Sequence, residues 1–262
     1  MSALGVTIAP GSAWDHPTAL VDQVAVVFGG SGGIGRALAK ELARCGCRVT
    51  VASRQAAATV NASDEEEAGI ARLRCDVRHA ADVDAVIRDV CERRGRIDLV
   101  INSAGIGSGS KSGVVPSPTW RLDEAEWQEV LDTNLRGMFL VARATARIMA
   151  RQGFGQIVNI SSARGAKRGR PFAAPYCAAK MAARAMFESL ADEMRPAGVR
   201  VWSLLPDAVA TELIANTRLA PLGSMNPAGL ATLVARLVSM PMDAELHNPL
   251  VAPFEFAARG TL

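Results

Sequence analysis

Tyr176 is the only tyrosine in the chain, and Lys180, one of only four lysines, follows it by four residues. On a helix this spacing puts both side chains on one face, one turn apart. An ammonium beside a phenol favours the phenolate, so the phenol pKa is expected to fall from about 10 toward the working pH. A hydroxyl tuned in this way can give a proton to a carbonyl oxygen as hydride arrives, or take it back in oxidation. A surface tyrosine with a solvated lysine has the same spacing, so the rest of the chain must decide between the two readings. Ser161 and Ser162 offer hydroxyls that could donate to the same substrate oxygen. Asn134 lies in Asp132-Thr133-Asn134-Leu135-Arg136-Gly137, within a stretch that otherwise reads as helix. An amide there is a poor helix former and is suited to holding a water at a local distortion.

A second group of residues suits a dinucleotide. Gly29-Gly30-Ser31-Gly32-Gly33-Ile34-Gly35 follows an apolar run and opens a helical one. Glycines let the backbone turn sharply and approach a pyrophosphate, whose charge is stabilised by the N–H groups and positive end of the helix. An ordinary loop can be as glycine-rich, but the strand before it and the helix after it favour dinucleotide binding through Gly29, Ser31, Gly33, Ile34 and Gly35. The next strand ends Val51-Ala52-Ser53-Arg54. NAD-binding proteins usually place an acid there for the adenosine ribose. Here Ser53 and Arg54 offer a hydroxyl and a guanidinium fork instead, which suit a 2′-phosphate. The expected cofactor is therefore NADP(H), against the plain alternative of a solvated surface arginine. Asp76, with Val77 beside it, ends the third strand and could accept a bond from the adenine amino group. Asn102-Ser103-Ala104-Gly105 ends the fourth, where small residues let the chain pass beneath the adenosine; both segments could equally be caps or turns.

The elements that must position these groups alternate. Val24 to Phe28 reads as a buried strand, Arg36 to Cys45 as helix, and Arg48 to Ala52 as strand. Ile70 to Cys75 is strand, Ala81 to Arg93 helix, and Asp98 to Ile101 strand. A long helix from about Asp123 to Arg151 precedes the strand Gln156 to Ile160, and a helix from about Ala174 to Arg195 precedes the strand Val199 to Leu205. Such alternation implies right-handed crossovers and an α/β, single-domain, Rossmann-type doubly wound parallel sheet with helices on both faces. Ligands of such sheets sit beyond the carboxyl ends of the strands, where every group above falls. Residues 1–21, rich in breakers, read as an N-terminal extension, and 22–262 as one oxidoreductase domain. Gly105 to Pro118 reads as a loop over the site.

Composition narrows the function classes. At 262 residues and 49% apolar the chain can bury a sizeable core, and its net charge of +3 lacks the concentrated basic face of a nucleic-acid binder. No apolar stretch approaches the roughly 20 residues that span a bilayer, and the start has no basic region followed by an apolar block, so neither a membrane anchor nor a secretory signal is expected. The five cysteines, Cys45, Cys47, Cys75, Cys91 and Cys177, form no CxxC pairs and fit a reduced, cytoplasmic protein. The three histidines, His16, His79 and His247, are scattered, so no metal site is expected.

Together these residues resemble the short-chain dehydrogenase/reductase family from about Val24 to the C-terminus. The glycine turn is similar to its cofactor motif, Asn102-Ser103-Ala104-Gly105 to its Asn-Asn-Ala-Gly motif, and Asn134, Ser162, Tyr176 and Lys180 to its catalytic tetrad. Pro206 to Thr211, with Val209 between them, resembles the segment that holds the nicotinamide amide. The resemblance implies that Ser162 orients the carbonyl, that Lys180 also binds the nicotinamide ribose, and that Asn134 holds a water in a proton relay. Phe28 stands where the family commonly has a threonine tying the glycine turn to the neighbouring strand end, and Ser103 replaces that neighbour's second asparagine. Asp207 replaces a glycine beside the nicotinamide, the stretch from Ser162 to Tyr176 is one residue longer than usual, and a Pro-rich strand, Pro249 to Phe254, replaces the family's common C-terminal finish.

The reading that results is an NADPH-dependent ketoreductase acting on a small carbonyl substrate. Its alternatives are an NAD(P)-linked alcohol dehydrogenase of the same family and a non-catalytic dinucleotide sensor. The substrate pocket is expected from the Gly105 to Pro118 loop, the segment after Ser162, and Leu213 to Met225. Arg164, Lys167, Arg168 and Arg170 either attract an anionic substrate or acidic carrier, or form a solvated basic loop. Ala142, Ala146, Met149, Met186 and Leu190 are expected at a helix–helix interface of a homodimer or homotetramer.

Overall fold

The computed structural model describes residues 20–55, 69–107, 117–163, 165–167, 169–211 and 224–253. Seven parallel strands form one sheet in the order β3-β2-β1-β4-β5-β6-β7. They are β1 (Val24–Phe28), β2 (Arg48–Ser53), β3 (Ala71–Arg74), β4 (Leu99–Asn102), β5 (Gly155–Ile160), β6 (Val199–Pro206) and β7 (Leu250–Val251). The helices are α1 (Gly33–Arg44), α2 (Ala80–Arg94), α3 (Glu124–Leu131), α4 (Gly137–Gln152), α5 (Ala174–Met194) and α6 (Pro227–Val238).

Helices cover both faces of the sheet, which explains why its central strands are apolar without alternation. On one face α2, α4 and α5 pack over Val26, Val100, Ile157 and Val201. On the other, α1 and α6 pack over Val27, Ile101, Val158 and Trp202. The packed chain already includes Leu20, which is buried and whose carbonyl accepts from the Cys47 thiol and the Gln23 N–H. α6 was not among the elements expected from the sequence, although its signals are present. Asn226 caps it, accepting from the Ala228 N–H at 2.8 Å, and Pro227 stands in its first turn. Leu230, Ala231, Val234, Ala235 and Val238 are its buried positions, spaced as one helical face. Only Leu250–Val251 of the expected last strand pairs with β6; Phe254 lies outside the described residues.

The expected helix from Asp123 to Arg151 is two helices joined by a π-turn, Asp132–Arg136. Asn134 stands at its centre, and the Gly137 N–H reaches back five residues to the Asp132 carbonyl. This is the distortion anticipated for an amide at that place. Nearer the strand ends, one row of the sheet changes character from side to side. Ala52, Phe28, Asn102, Asn159 and Ser203 are neighbours in register across β2, β1, β4, β5 and β6. All five are fully buried and lie toward α4 and α5. The row is apolar on the side of the glycine turn and polar on the side of β5, which leads into Ser162.

Candidate active site

Tyr176 and Lys180 lie one turn apart near the start of α5, as their spacing requires. The Lys180 ammonium is 5.7 Å from the centroid of the Tyr176 ring. It does not point at solvent: it donates to the Ile160 carbonyl at the end of β5, 3.1 Å away. Burial lowers the Lys180 pKa to about 8. Burial also pushes the Tyr176 phenol above its ordinary value, and a hydrogen bond with Ser162 and the charge of Arg170 only partly oppose this. The expectation that Lys180 would pull the phenol down is therefore corrected for the protein alone. Removing the ring from water penalises the phenolate more than the neighbouring charges favour it.

The two serines behave differently. Ser161 follows β5, donates its N–H to Leu204, and is buried with a hydroxyl that finds no partner among the described residues. Ser162 is half-buried; its hydroxyl oxygen accepts from the Gly165 N–H at 3.1 Å and its side chain hydrogen-bonds Tyr176. The strand frame thus brings the second serine to the phenol and leaves the first facing inward. Asn134 is fully buried, accepting from the Ile106 N–H at 2.8 Å and donating to the Ile106 carbonyl at 2.7 Å. Both ends of its amide are engaged with the chain leaving β4, so this side chain positions the Gly105 loop. Gly105 is the point of convergence: a Cβ there would lie 3.1 Å from Asn134 Oδ1 and 3.8 Å from Lys180 Nζ.

The residues expected to hold the cofactor lie along the neighbouring strand ends. Gly29 has a positive φ of 77°, and a Cβ on it would stand 2.5 Å from the Ala104 nitrogen, so the turn and the β4 end touch through bare backbone. The Ser103 N–H also donates to the Phe28 carbonyl at 2.9 Å. Main-chain contacts therefore make the tether that Phe28 and Ser103 do not make with side chains, and the Phe28 ring goes to the core. Ser31 is half-buried in the turn, Gly33 and Ile34 open α1, and Gly35 is buried in its first turn. α1 has no side-chain cap and no acid in its first turn, which fits an anion at its positive end. On the far side, Thr211 stands over Gly33: a Cβ there would meet the Thr211 methyl at 3.1 Å.

Ser53 ends β2 with a buried, unpartnered hydroxyl among the described residues, and Arg54 follows it on the surface. Asp76 is held by Arg78 through its guanidinium and N–H, which lowers its carboxyl to about 2. Its neighbour Val77 is buried and packs on Gly137, where a Cβ would come within 2.8 Å. Asn102 is buried; its side-chain oxygen accepts from the Ala104 N–H at 3.3 Å. Pro206 ends β6, and Val209 is buried and bridged to Met225. Asp207 ties the end of β6 to the last strand, donating its N–H to the Val251 carbonyl at 2.7 Å. These features fit a dinucleotide along the carboxyl ends of β1, β2 and β4.

Some expectations are not met or fall elsewhere. Ala142, Ala146 and Met149 are buried within this chain's own core, so they are not free to meet a partner; Met186 and Leu190 are half-buried at its margin. The same two helices instead expose Phe139 on α4 and Met181 on α5. Arg164 and Arg168 lie outside the described residues, as do 108–116 of the expected Gly105 to Pro118 loop and 213–223 of the expected Leu213 to Met225 segment. Gly165, legible in the sequence only as a loop residue and not among the expected site residues, contacts both Ser162 and Tyr176. Its signal, a glycine three residues after the serine, acquires meaning only once the ring is in place. Among the described residues there is no metal-ligating cluster and no helix long and apolar enough to cross a membrane.

Known proteins resemble this chain in sequence and fold. The short chain dehydrogenase family model matches residues 23–221. A 3-oxoacyl-[acyl-carrier-protein] reductase from Synechocystis is 34% identical over 209 residues, covering 78% of this chain and 81% of the relative. Among solved structures, an alcohol dehydrogenase from Thermococcus sibiricus complexed with 5-hydroxy-NADP has a TM-score of 0.74 at 28% identity, over 87% of this chain and 95% of the other. A 3-ketoacyl-(acyl-carrier-protein) reductase from Brucella melitensis complexed with NADH has a TM-score of 0.76 at 27% identity, over 89% and 98%. Sheet order, strand-end site and sequence likeness agree: the chain belongs to the short-chain dehydrogenase/reductase family of oxidoreductases.

Proposed function

We propose that the protein reduces a ketone or other carbonyl of a small molecule to an alcohol with NADPH, using Tyr176 as the general acid. The observation that carries this reading is the convergence of Ser162, Tyr176 and Lys180 at the end of β5, beside the bare glycine turn. Bound nicotinamide supplies the hydride. Ser162 donates to the carbonyl oxygen as negative charge grows there, and Tyr176 delivers the proton that completes the alcohol. A phenol held above its ordinary pKa is fully protonated at neutral pH and so is ready to act as acid. Lys180, one turn away, stabilises the phenolate left behind. Asn134 holds the Gly105 loop through Ile106 and closes one wall of the site.

Arg54 supports NADPH as the preferred reductant, because it would meet a 2′-phosphate at the end of β2 and no acid stands there. The buried Lys180 argues against a sensor, since a binding module gains nothing from a cation kept out of water at this position. Oxidation of an alcohol with NADP+ runs through the same groups and is the second reading. Its support is the likeness to the Thermococcus enzyme, whose name is alcohol dehydrogenase. We also place the protein in the cytoplasm as a homodimer or homotetramer. Five unbridged thiols and the exposed Phe139 and Met181 support this. The test is NADPH consumption across a panel of ketones and diketones, with Tyr176→Phe as control. Turnover that Tyr176→Phe lowers at least about hundredfold is expected; equal turnover in the two proteins would reject Tyr176 as the acid.

A further inference from the structure

Gly165 is buried in the loop between Ser162 and α5, and two of its atoms meet the proposed acid/base pair. Its N–H donates to Ser162 Oγ at 3.1 Å. A Cβ on its Cα would stand 2.7 Å from Tyr176 Cε1, 3.1 Å from Cδ1 and 3.4 Å from Lys180 Cβ. The first two atoms belong to a rigid ring whose hydroxyl already bonds Ser162, so an added methyl would have to displace the ring or the loop. The backbone at Gly165 does not itself call for glycine, because its φ is not positive. The need for glycine comes from the ring.

A serine hydroxyl has one proton and two lone pairs. With the Gly165 N–H on one lone pair, the proton points elsewhere, and a hydroxyl that accepts a bond becomes a better donor. We infer that Gly165 is a positioning residue: before substrate arrives its N–H turns the Ser162 proton toward the Tyr176 oxygen, beside which a substrate carbonyl would take that proton over, and its bare Cα lets the ring stand close enough to receive it. An alanine would keep the N–H in the chain but push the ring out of reach of Ser162.

That Tyr176 is the sole tyrosine makes the inference directly testable, since a fluorinated tyrosine supplied to growing cells labels this ring alone. Fluorination acidifies the phenol and brings its midpoint into the range where the fold is stable, and fluorine NMR reads it in the full-length protein. Ser162→Ala and Gly165→Ala should each raise the midpoint by about one pH unit, the loss of one hydrogen bond to the phenolate. The double variant should rise no further than the larger single. A parental midpoint in folded Gly165→Ala, or additive shifts in the double variant, would overturn the inference. Should Gly165→Ala not fold, exchange of the Gly165 amide serves instead: it should be at least roughly tenfold faster in Ser162→Ala than in the parent. Equal exchange would overturn the inference. The inference rests on the reading of Tyr176 as the acid, but the two fail separately. A titration that follows the expected pattern while Tyr176→Phe keeps its turnover rejects only the reaction.

Discussion

The Lys180 ammonium donates to the Ile160 carbonyl across 3.1 Å, although the side chain is almost fully buried and no carboxylate among the described residues pairs with it. A neutral oxygen compensates poorly for lost water, which is why the pKa falls to about 8. The unfolded chain, with the ordinary value of 10.5, binds more protons than the folded chain between these two values. Folding is therefore favoured as pH rises through that window, and the penalty is complete below it. The shift corresponds to a cost on the order of 3 kcal/mol at neutral pH. Lys180→Met should remove turnover yet stabilise the protein without cofactor by about 1–3 kcal/mol at pH 7 in urea unfolding. Its advantage should shrink above pH 8 as the parental lysine loses its proton. A parent more stable than Lys180→Met at pH 7 would contradict this account.

The two serines give a ranking. Ser162 reaches the phenol, whereas Ser161 is buried with a hydroxyl that has no partner among the described residues. Ser162→Ala should lower kcat by roughly hundredfold or more and change KM little, because its hydroxyl is needed most as charge develops. Ser161→Ala removes a buried, unsatisfied polar atom and should leave kcat within about threefold and stability unchanged or higher. Steady-state kinetics on variants that bind NADPH normally will decide, and the opposite ranking would shift the reacting position by one residue.

What was legible in the sequence depended on how local its cause was. The serines were placed by a strand end and Tyr176 with Lys180 by helical spacing, both properties of a few adjacent residues. The direction of the phenol shift was not legible, because it depends on how much of the ring the Gly165 loop covers, and the two lie 11 positions apart in sequence. Ala142, Ala146 and Met149 were readable as apolar, but not as covered by the same chain rather than by a partner. The π-turn at Asn134 could be anticipated from an amide inside a helix; the engagement of that amide with Ile106 could not, since Ile106 lies 28 residues away.

Assembly should depend on the exposed side chains of α4 and α5. Phe139 is 43% exposed and Met181 37%, large values for apolar side chains on helices that otherwise face the core. Replacing both with glutamate places charge on a surface that a symmetric partner would bury, at little cost to a chain that stands alone. Light scattering at micromolar concentration should give a dimer or tetramer for the parent and a monomer for Phe139→Glu/Met181→Glu. A monomeric parent, or a double variant of unchanged mass, would exclude this surface as the interface.

Phe172 is a bulky residue with a positive φ of 61°, and it stands half-exposed four residues before Tyr176. Such a conformation costs a non-glycine residue about 1–2 kcal/mol, so a retained ring there points to use by the substrate. Asparagine tolerates the same backbone without the ring. Phe172→Asn should leave Tm within a few degrees of the parent and raise KM for a hydrophobic ketone by roughly tenfold, with kcat less affected. If KM is unchanged in the folded variant, the ring is not part of the substrate surface.

Cofactor choice turns on what stands beyond β2. Ser53 ends that strand with its hydroxyl buried, and Arg54 projects from the turn after it. A ribose hydroxyl gains little from a guanidinium, whereas a 2′-phosphate gains charge-assisted hydrogen bonds, each worth about 1.5–3 kcal/mol. The parent should therefore bind NADPH more tightly than NADH. Arg54→Ala should weaken NADPH by roughly ten- to hundredfold and leave NADH within about twofold. Binding followed by protein fluorescence separates this from any effect on turnover, since no residue proposed for proton transfer lies on β2. High ionic strength should narrow the parent's preference in the same direction, because an exposed cation is screened by salt. Equal affinity of the parent for both cofactors, or equal loss of both in Arg54→Ala, would mean that Arg54 is a solvated surface residue and that the 2′ position is read elsewhere.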